Sequence, residues 1–599
     1  MSNKVSTISS DSLLDDFDQN FRVLAGPGAG KTYWLVNHIK QVIRRSKHLH
    51  FASRIACISY TTVAAEHIKL KLEDAAERVD VSTIHSFLYR NLVKFFLHFV
   101  RGEDGEPLFD YSLIDGHDEH KPTQGVLVQW TRVQGTPGYV LNDVNLALRY
   151  LGQLTWRFNQ NGELRLTVRK PLGRFKSGKQ AYPFPINKAE SYKKMCWESG
   201  RLHHEDVLYF AHRILSEHPE LRGFISKRFP YIFLDEFQDT NPIQTCIVRW
   251  LAEAGSFIGV IGDPAQSIYA FQDAKHSDFK SFNLPGQLNY KIDGNRRSTT
   301  QIIDLLNHVR AGDITQYSLI GKEGARPYVL VGAAAEAVKQ VRDVALRRDG
   351  SAEPELAILT RTNEFAARLR SARKEFNNKV WEELESADYK RRSFIYHVML
   401  AGQLAQQGSY DRAIKELLRC FRARDGLLRE PLKYVGRLSG VEKSGLSVSI
   451  LEFLVTNHSE LLETNLLTFY QELDILLTEK KPDLKLTSVK GGKFKTAAES
   501  ILYKDLADGL KLNEERRLVR TVHNAKGAEF DSVLICLEKE TDLKYLINPQ
   551  IDDEECRIIY VGISRAKEFL YISVPTLSQE NESTLNQGLV NILAVGKEV

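Results

Sequence analysis

The run Ala25-Gly26-Pro27-Gly28-Ala29-Gly30-Lys31-Thr32 lies between a short apolar segment, Phe21–Leu24, and a stretch of helical pattern. A glycine-rich turn of this spacing, ending in Lys-Thr and joining a strand to a helix, leaves few folds open. Glycines let the backbone approach an anion without Cβ clashes. Backbone N–H groups and the helix N-terminus then bind phosphate. Lys31 is placed for β- and γ-phosphates, and Thr32 for Mg²⁺. Ala25 stands where the pattern has its first glycine, a tolerable change at a strand end. The bland alternative is a glycine-rich turn with a chance lysine, which the strand before and the helix after argue against.

A second apolar segment, Tyr231–Leu234, ends in Asp235-Glu236. An acidic pair at a strand end can hold Mg²⁺ through Asp235, while Glu236 acts as general base on an attacking water. Alone the pair is a weak signal, equally a solvated turn; the following Phe237-Gln238-Asp239 makes it specific.

The 599 residues are enough for several domains, with an ordinary 43% hydrophobic and 26% charged content. The net charge of +5 fits a nucleic-acid groove without demanding one. Six cysteines, none in a C-x-x-C pair, argue against zinc or a disulfide framework and for a reducing, cytoplasmic setting. The polar N-terminus resembles no signal segment. No apolar run approaches the roughly 20 residues that span a bilayer, so no membrane partner is expected.

Strands are expected at Phe21–Leu24, Ile55–Ser59, Tyr231–Leu234 and Phe257–Ile261, each ending in a Gly-, Thr- or Asp-rich loop. A second set is expected at Pro327–Val331, Leu356–Thr360, Leu518–Val522, Val533–Leu537 and Leu570–Val574. Helical spacing runs through Val63–Glu73, Ala413–Cys420 and Leu461–Leu477, and no fixed-period repeat is present. The expected class is α/β: two cores with parallel sheets, each carrying a largely helical insertion. The first core takes residues 1–98 and 198–297 with an insertion at 99–197; the second takes 298–364 and 515–599 with an insertion at 365–514.

The run Leu234–Gln244 (LDEFQDTNPIQ) resembles motif II of superfamily 1 helicases of the UvrD/Rep/PcrA type. The other motifs of that family appear in order. Ser59–Ala65 resembles motif Ia, and Ser82–Phe87 the next single-strand contact motif. Gly262–Phe271 resembles motif III, Asn295–Thr299 motif IV, Thr521–Phe530 motif V and Tyr560–Ala566 motif VI. The resemblance implies two RecA-like cores, ATP and Mg²⁺ as cofactors, and single-stranded DNA and single-strand/duplex junctions as partners. It implies that Gln266 senses the γ-phosphate and that Arg297 and Arg565 neutralise it in the transition state, such arginines being worth about 10³–10⁵ in rate. A surface ion pair is the commoner fate of an arginine; the motif context reverses that expectation. Arg296 would face the base, Glu529 the ribose and metal, and residues Ala25 to Thr32 the phosphates. Tyr60, Thr61, Thr83, His85, Tyr269, Phe271 and His523 would meet DNA. For Tyr269 and for Phe87, core packing competes with base stacking. The basic stretches Arg165–Lys179 and Lys480–Lys495 could touch duplex, or be solvated faces.

Three departures stand out. Arg296 replaces the tyrosine that stacks on adenine, no upstream glutamine is well spaced to read that base, and Gln272 replaces an arginine after motif III. The first expectation is an ATP-dependent helicase or translocase with 3′→5′ polarity. The rival is a nucleic-acid-sensing ATPase subunit that regulates or delivers a separately encoded nuclease, as small UvrD-like proteins of Gabija-type anti-phage systems suggest. A catalytically dead nucleotide binder is disfavoured because Lys31, Asp235, Glu236, Arg297 and Arg565 are all present.

Overall fold

Ile55–Ser59 and Tyr231–Leu234 are strands in which every residue is buried. That is how the interior of a parallel sheet reads when helices cover both faces. The computed structural model that shows this describes residues 5–597, except 103, 115, 118–121, 123, 134, 271–275, 350–354, 370–373, 407, 409, 422–431, 434–437, 508–509, 511–517 and 586–587. The chain forms two bodies, Met1–Arg361 with Val522–Val599, and Thr362–Thr521.

In the first body, seven parallel strands run in the order Val5–Thr7, Leu288–Ile292, Phe21–Ala25, Phe257–Gly262, Tyr231–Leu234, Ile55–Ser59, Val79–Thr83. Gly262 pairs with Leu24 and Val260 with Leu234. The register brings the loops after these three strands to one edge of the sheet, where open α/β sheets hold ligands. One face is covered by the helix Lys31–Arg45, whose Trp34, Leu35, Ile39 and Val42 are wholly buried against Phe21, Val23 and Phe233.

The other face packs against the helices His204–Glu217 and Pro242–Glu253, and its core continues without a break into the first insertion through Trp130, Trp156, Tyr192 and Trp197. This insertion is partly helical but also carries two hairpins, Leu154–Phe158 with Leu164–Val168 and Phe175–Ser177 with Gln180–Tyr182. Where it meets the helix His204–Glu217, Asp206 of that helix pairs with Lys193 at 2.9 Å and accepts from the indoles of Trp156 and Trp197. Burial opposes ionisation of Asp206, but Lys193 and His203 outweigh it and hold the carboxyl well below its usual range.

A second parallel sheet has the order Leu356–Thr360, Phe530–Cys536, Ala566–Val574, Tyr328–Val331, Asn591–Ala594 within this body. The helices Thr300–Arg310 and Glu554–Ile563 bury Ile302, Leu305, Val309, Ile558 and Val561 in its core. Ala265 and Ile268, from the loop after Phe257–Gly262, belong to that same core. The two sheets are therefore welded at this loop. Val522 departs from the expected strand: the strand Val519–Thr521 ends before it, and Val522–Ala525 is a helical turn.

Among its described residues the second body is helical apart from the pair Leu432–Lys433 and Lys485–Leu486 and the strand Val519–Thr521. Ile395, Val398, Leu417, Ile450, Leu454, Phe469 and Leu473 form its core. The long helix Lys374–Gln406 is kinked at Asp388, whose carboxylate accepts from the backbone N–H of Lys390 and Arg391 and so caps the second segment. The helical stretch expected over Leu461–Leu477 is broken: one short helix ends at Leu461, and Asn465 caps the next, Leu466–Lys480. Among the described residues no helix is long and apolar enough to cross a membrane.

Candidate active site

Gly28 and Gly30 both adopt positive φ, +67° and +79°. This curls the loop after Phe21–Ala25 so that Gly30 caps the helix Lys31–Arg45 with no side chain in the way. A Cβ on Gly28 would come within 2.5 Å of Asn295 Oδ1. Asn295 Nδ2 and Gln316 Nε2 each donate to Pro27 O at 3.0 Å, and Arg296 N donates to Gly28 O at 2.9 Å. The loop is thereby latched to the segment that follows the first sheet. Lys31 Nζ donates to the carbonyls of Ala25 and Gly26 at 3.3 Å, and Thr32 is half-buried beside it.

Asp235 ends its strand with N–H donated to Ile58 O, and its carboxylate accepts from Glu236 N. Glu236 sits at φ +55°, strained for a residue with a side chain, and its carboxylate accepts from Gln238 Nε2 at 2.5 Å. Burial and the neighbouring Glu236 push the Asp235 carboxyl up to about 7. Burial works against Glu236 too, yet Lys31, Lys526, the Gln238 amide and Arg565 hold it below its usual value. The pair is thus divided: Glu236 ionises first and is the member that stands charged and free to accept a proton. Asp239 is pushed up to about 7 by burial, despite its 2.5 Å ion pair with Lys526.

Arg297 and Arg565 both reach this cleft. Arg297 pairs through Nε with Glu529 at 2.6 Å and donates to Ser564 O. Arg565 is buried and donates through Nη2 to Gln266 Oε1 at 2.9 Å. Burial and Arg297 lower its pKa to about 9. Lys526 Nζ donates to Gln266 O at 2.7 Å and lies 4.8 Å from the centre of the Tyr269 ring. Arg296 donates to Ser10 Oγ and is ion-paired with Asp11. The structure thus brings Lys31, Asp235, Glu236, Gln266, Arg296, Arg297, Glu529 and Arg565 around one loop. The sequence alone assigns no role to Asn295 within motif IV or to Lys526 within motif V, and Gln316 lies outside every motif, its signal only an amide.

Of the seven residues expected at DNA, Tyr60, Thr61, Thr83, His85, Tyr269 and His523 lie among the described residues. Tyr60 and Tyr269 stack on one another, centroids 4.8 Å apart. His523 Nε2 lies 3.1 Å from Ile268 O, so it is tied to the motif III loop. Thr61 and Thr83 are both helix N-caps, accepting from Ala64 N and Ser86 N. Thr61 is exposed and keeps its hydroxyl proton for donation; that of Thr83 points at Ser86 Oγ, 3.1 Å away. Burial, with His204 and His117 nearby, lowers His85 to a pKa of about 3, so it can offer a phosphate no charge. Phe87 is buried against Phe229, so of its two readings the core one holds. Phe271 and Gln272 lie outside the described residues. In the basic stretches, Arg165 pairs with Glu163, Arg169 with Glu205 and Lys495 with Glu499.

The sequence matches the UvrD/REP helicase N-terminal domain over residues 9–285 and the UvrD-like helicase C-terminal domain over residues 428–576. It is 23% identical to YjcD of Bacillus subtilis (strain 168), over 92% of this chain and 76% of that protein. It is 22% identical to the ATP-dependent DNA helicase PcrA of Leuconostoc citreum, over 92% of this chain and 79% of that protein. It is 24% identical to the Gabija protein GajB of Bacillus cereus (strain HuB5-5), over 66% of this chain and 62% of that protein. The phosphate loop, the divided carboxylate pair and the two arginines that meet at one cleft agree with the two domain matches, which together take in well over half of the residues: the chain belongs to the UvrD-like helicase family.

Proposed function

We propose that the chain is an ATP-driven motor that moves 3′→5′ along single-stranded DNA and opens duplex at junctions. The observation that carries this is the convergence of Lys31, Glu236, Arg297 and Arg565 around the phosphate loop, with Arg565 held by Gln266 at 2.9 Å. In this reading Lys31 exchanges the carbonyls of Ala25 and Gly26 for phosphate oxygens. Glu236 takes a proton from the attacking water. Arg297 and Arg565 stabilise charge on the γ-phosphoryl. Arg296, steadied by Asp11 and Ser10, offers a guanidinium plane to the base.

The Thr32 hydroxyl and the Asp235 carboxylate fit Mg²⁺. They are hard oxygen donors, and a cation would relieve the buried carboxyl that burial and Glu236 now hold near 7. When bound, the ion neutralises phosphate charge. Tyr60 and Tyr269 supply flat surfaces for bases, and Thr61 a donor for phosphate. The division into two cores at 1–98 with 198–297 and 298–364 with 515–599, with insertions between, belongs to the same reading, as does an intracellular setting. A second reading rests on the likeness to the Gabija protein GajB: an ATPase subunit that senses nucleic acid and works with a separate nuclease. Strand displacement by the chain alone, on substrates with a 3′ or a 5′ single-stranded tail, tests the choice. Unwinding from the 3′ tail supports the motor; DNA-stimulated hydrolysis without displacement on either substrate supports the subunit.

A further inference from the structure

Arg310 lies in none of the motifs, yet it is among the most deeply buried charged groups of the chain, at 1% exposure. It ends the helix Thr300–Arg310, which packs on the second sheet. Its guanidinium reaches back to Asp263, at the C-terminal end of the strand Phe257–Gly262 of the first sheet and 0% exposed. The pair is two-pronged: Nη2 lies 2.9 Å from Oδ1 and Nη1 3.2 Å from Oδ2. Nη1 also donates to Tyr560 Oη at 3.1 Å, and Nε donates to Asp313 at 2.6 Å.

A buried pair of this kind brings little net stability, because desolvation offsets attraction. What it does bring is orientation. Asp263 Oδ1 also accepts from Ala265 N, and Oδ2 accepts from Gln266 Nε2 at 2.7 Å. The Gln266 amide therefore has its NH₂ end committed, and its oxygen must face the other way. That oxygen accepts from Arg565 Nη2 at 2.9 Å. Were the amide turned over, its NH₂ would oppose a guanidinium that can only donate. The order Arg310, Asp263, Gln266, Arg565 is thus a directional chain of charge-assisted hydrogen bonds, closed off from water and crossing from one sheet to the other.

We propose that Arg310 is a positioning residue for ATP hydrolysis: by clamping Asp263 it sets the Gln266 amide, and through it the place of the Arg565 guanidinium. This rests on the hydrolysis reading of the cleft. Lysine at this position keeps the charge but cannot grip both carboxylate oxygens. Arg310→Lys is expected to lower kcat for ATP at saturating single-stranded DNA by tenfold or more, about 1.4 kcal/mol of barrier. KM for ATP should stay within twofold, since phosphate binding by Lys31 is untouched.

The deciding experiment is a double-mutant cycle on full-length protein, with rates per folded molecule from a parallel melting curve. If Arg310 acts through Gln266, then once Gln266→Ala is present Arg310→Lys costs less than a further twofold. If Arg310 merely supports the fold, the two losses multiply, or kcat per folded molecule is unchanged by Arg310→Lys; either result overturns the proposal. Asp263→Asn, of equal size, gives the same cycle if Arg310→Lys fails to fold. Non-multiplying losses support the chain, and multiplying losses overturn it. An inactive wild-type protein would overturn the hydrolysis reading together with this role, which separates that failure from one confined to Arg310.

Discussion

Glu236 and Asp235 are adjacent carboxylates with opposite tendencies, and the division follows from what each faces. Glu236 looks toward Lys31, Lys526, Gln238 and Arg565, while Asp235 is buried beside a carboxylate already charged. Glu236→Gln should bind ATP with near-normal affinity and lose turnover by about 10²–10⁴, because an amide cannot take the proton. Equal losses of affinity and turnover in a nucleotide titration would contradict the base role. Asp235 carries a stability cost with a definite sign. Its folded pKa of about 7 lies above the usual carboxylate value, so the folded protein holds a proton that the unfolded chain releases. Stability is therefore lost as pH rises from about 4 to 7, and the full penalty stands above that. Asp235→Asn, without nucleotide, should raise the melting temperature at pH 8 and lose most of that advantage near pH 4. A gain that is larger at acid pH would contradict the assignment.

The phosphate loop is the element on which the site turns. Its two left-handed glycines fit against a fixed wall, since Asn295, held by Pro27 O, stands where a Gly28 side chain would go. Gly28→Ala should raise KM for ATP by about tenfold, given a left-handed penalty of about 1–2 kcal/mol at the binding loop. A KM within twofold of wild type would show that the loop adjusts freely. This loop was legible because its chemistry is local: eight consecutive residues, Ala25 to Thr32, run from the end of a strand into the first turn of a helix. The buried central strands, such as Tyr231–Leu234, were legible as unbroken apolar runs. The strands Val5–Thr7 and Val79–Thr83 were not, because at the sheet edges they mix polar with apolar residues. Leu288–Ile292 alternates the two and hid for the same reason. Thr61 and Thr83 were expected to meet DNA, and their capping bonds follow from where the helices start, which the sequence pattern does not fix. Arg310 could not be found from sequence at all, since its partner Asp263 lies 47 residues away and on the other sheet.

At the scale of the molecule, two parallel sheets share a seam in which the loop after Phe257–Gly262 is buried in the second sheet's core. Gln266 in that loop touches Arg565, while Tyr269 stacks on Tyr60 and lies under Lys526. Lys526 in turn is paired with Asp239 beside the carboxylates. Nucleotide chemistry and the surface proposed for bases are thus joined by a few side chains within one loop, and events at one are expected to be felt at the other. Tyr60→Ala should leave ATP hydrolysis without DNA within twofold of wild type. It should weaken stimulation by DNA, because one stacking surface worth about 1–3 kcal/mol per base is lost. Equal loss of both activities would assign Tyr60 to the core instead.

The most direct measurement is the rate of ATP hydrolysis as single-stranded DNA is added, at low and at higher salt. The account predicts strong stimulation and an apparent DNA affinity that falls linearly on a log–log plot against salt, as counterions return to the phosphates. Hydrolysis that proceeds at one rate with or without DNA or RNA, at any salt, would contradict the account.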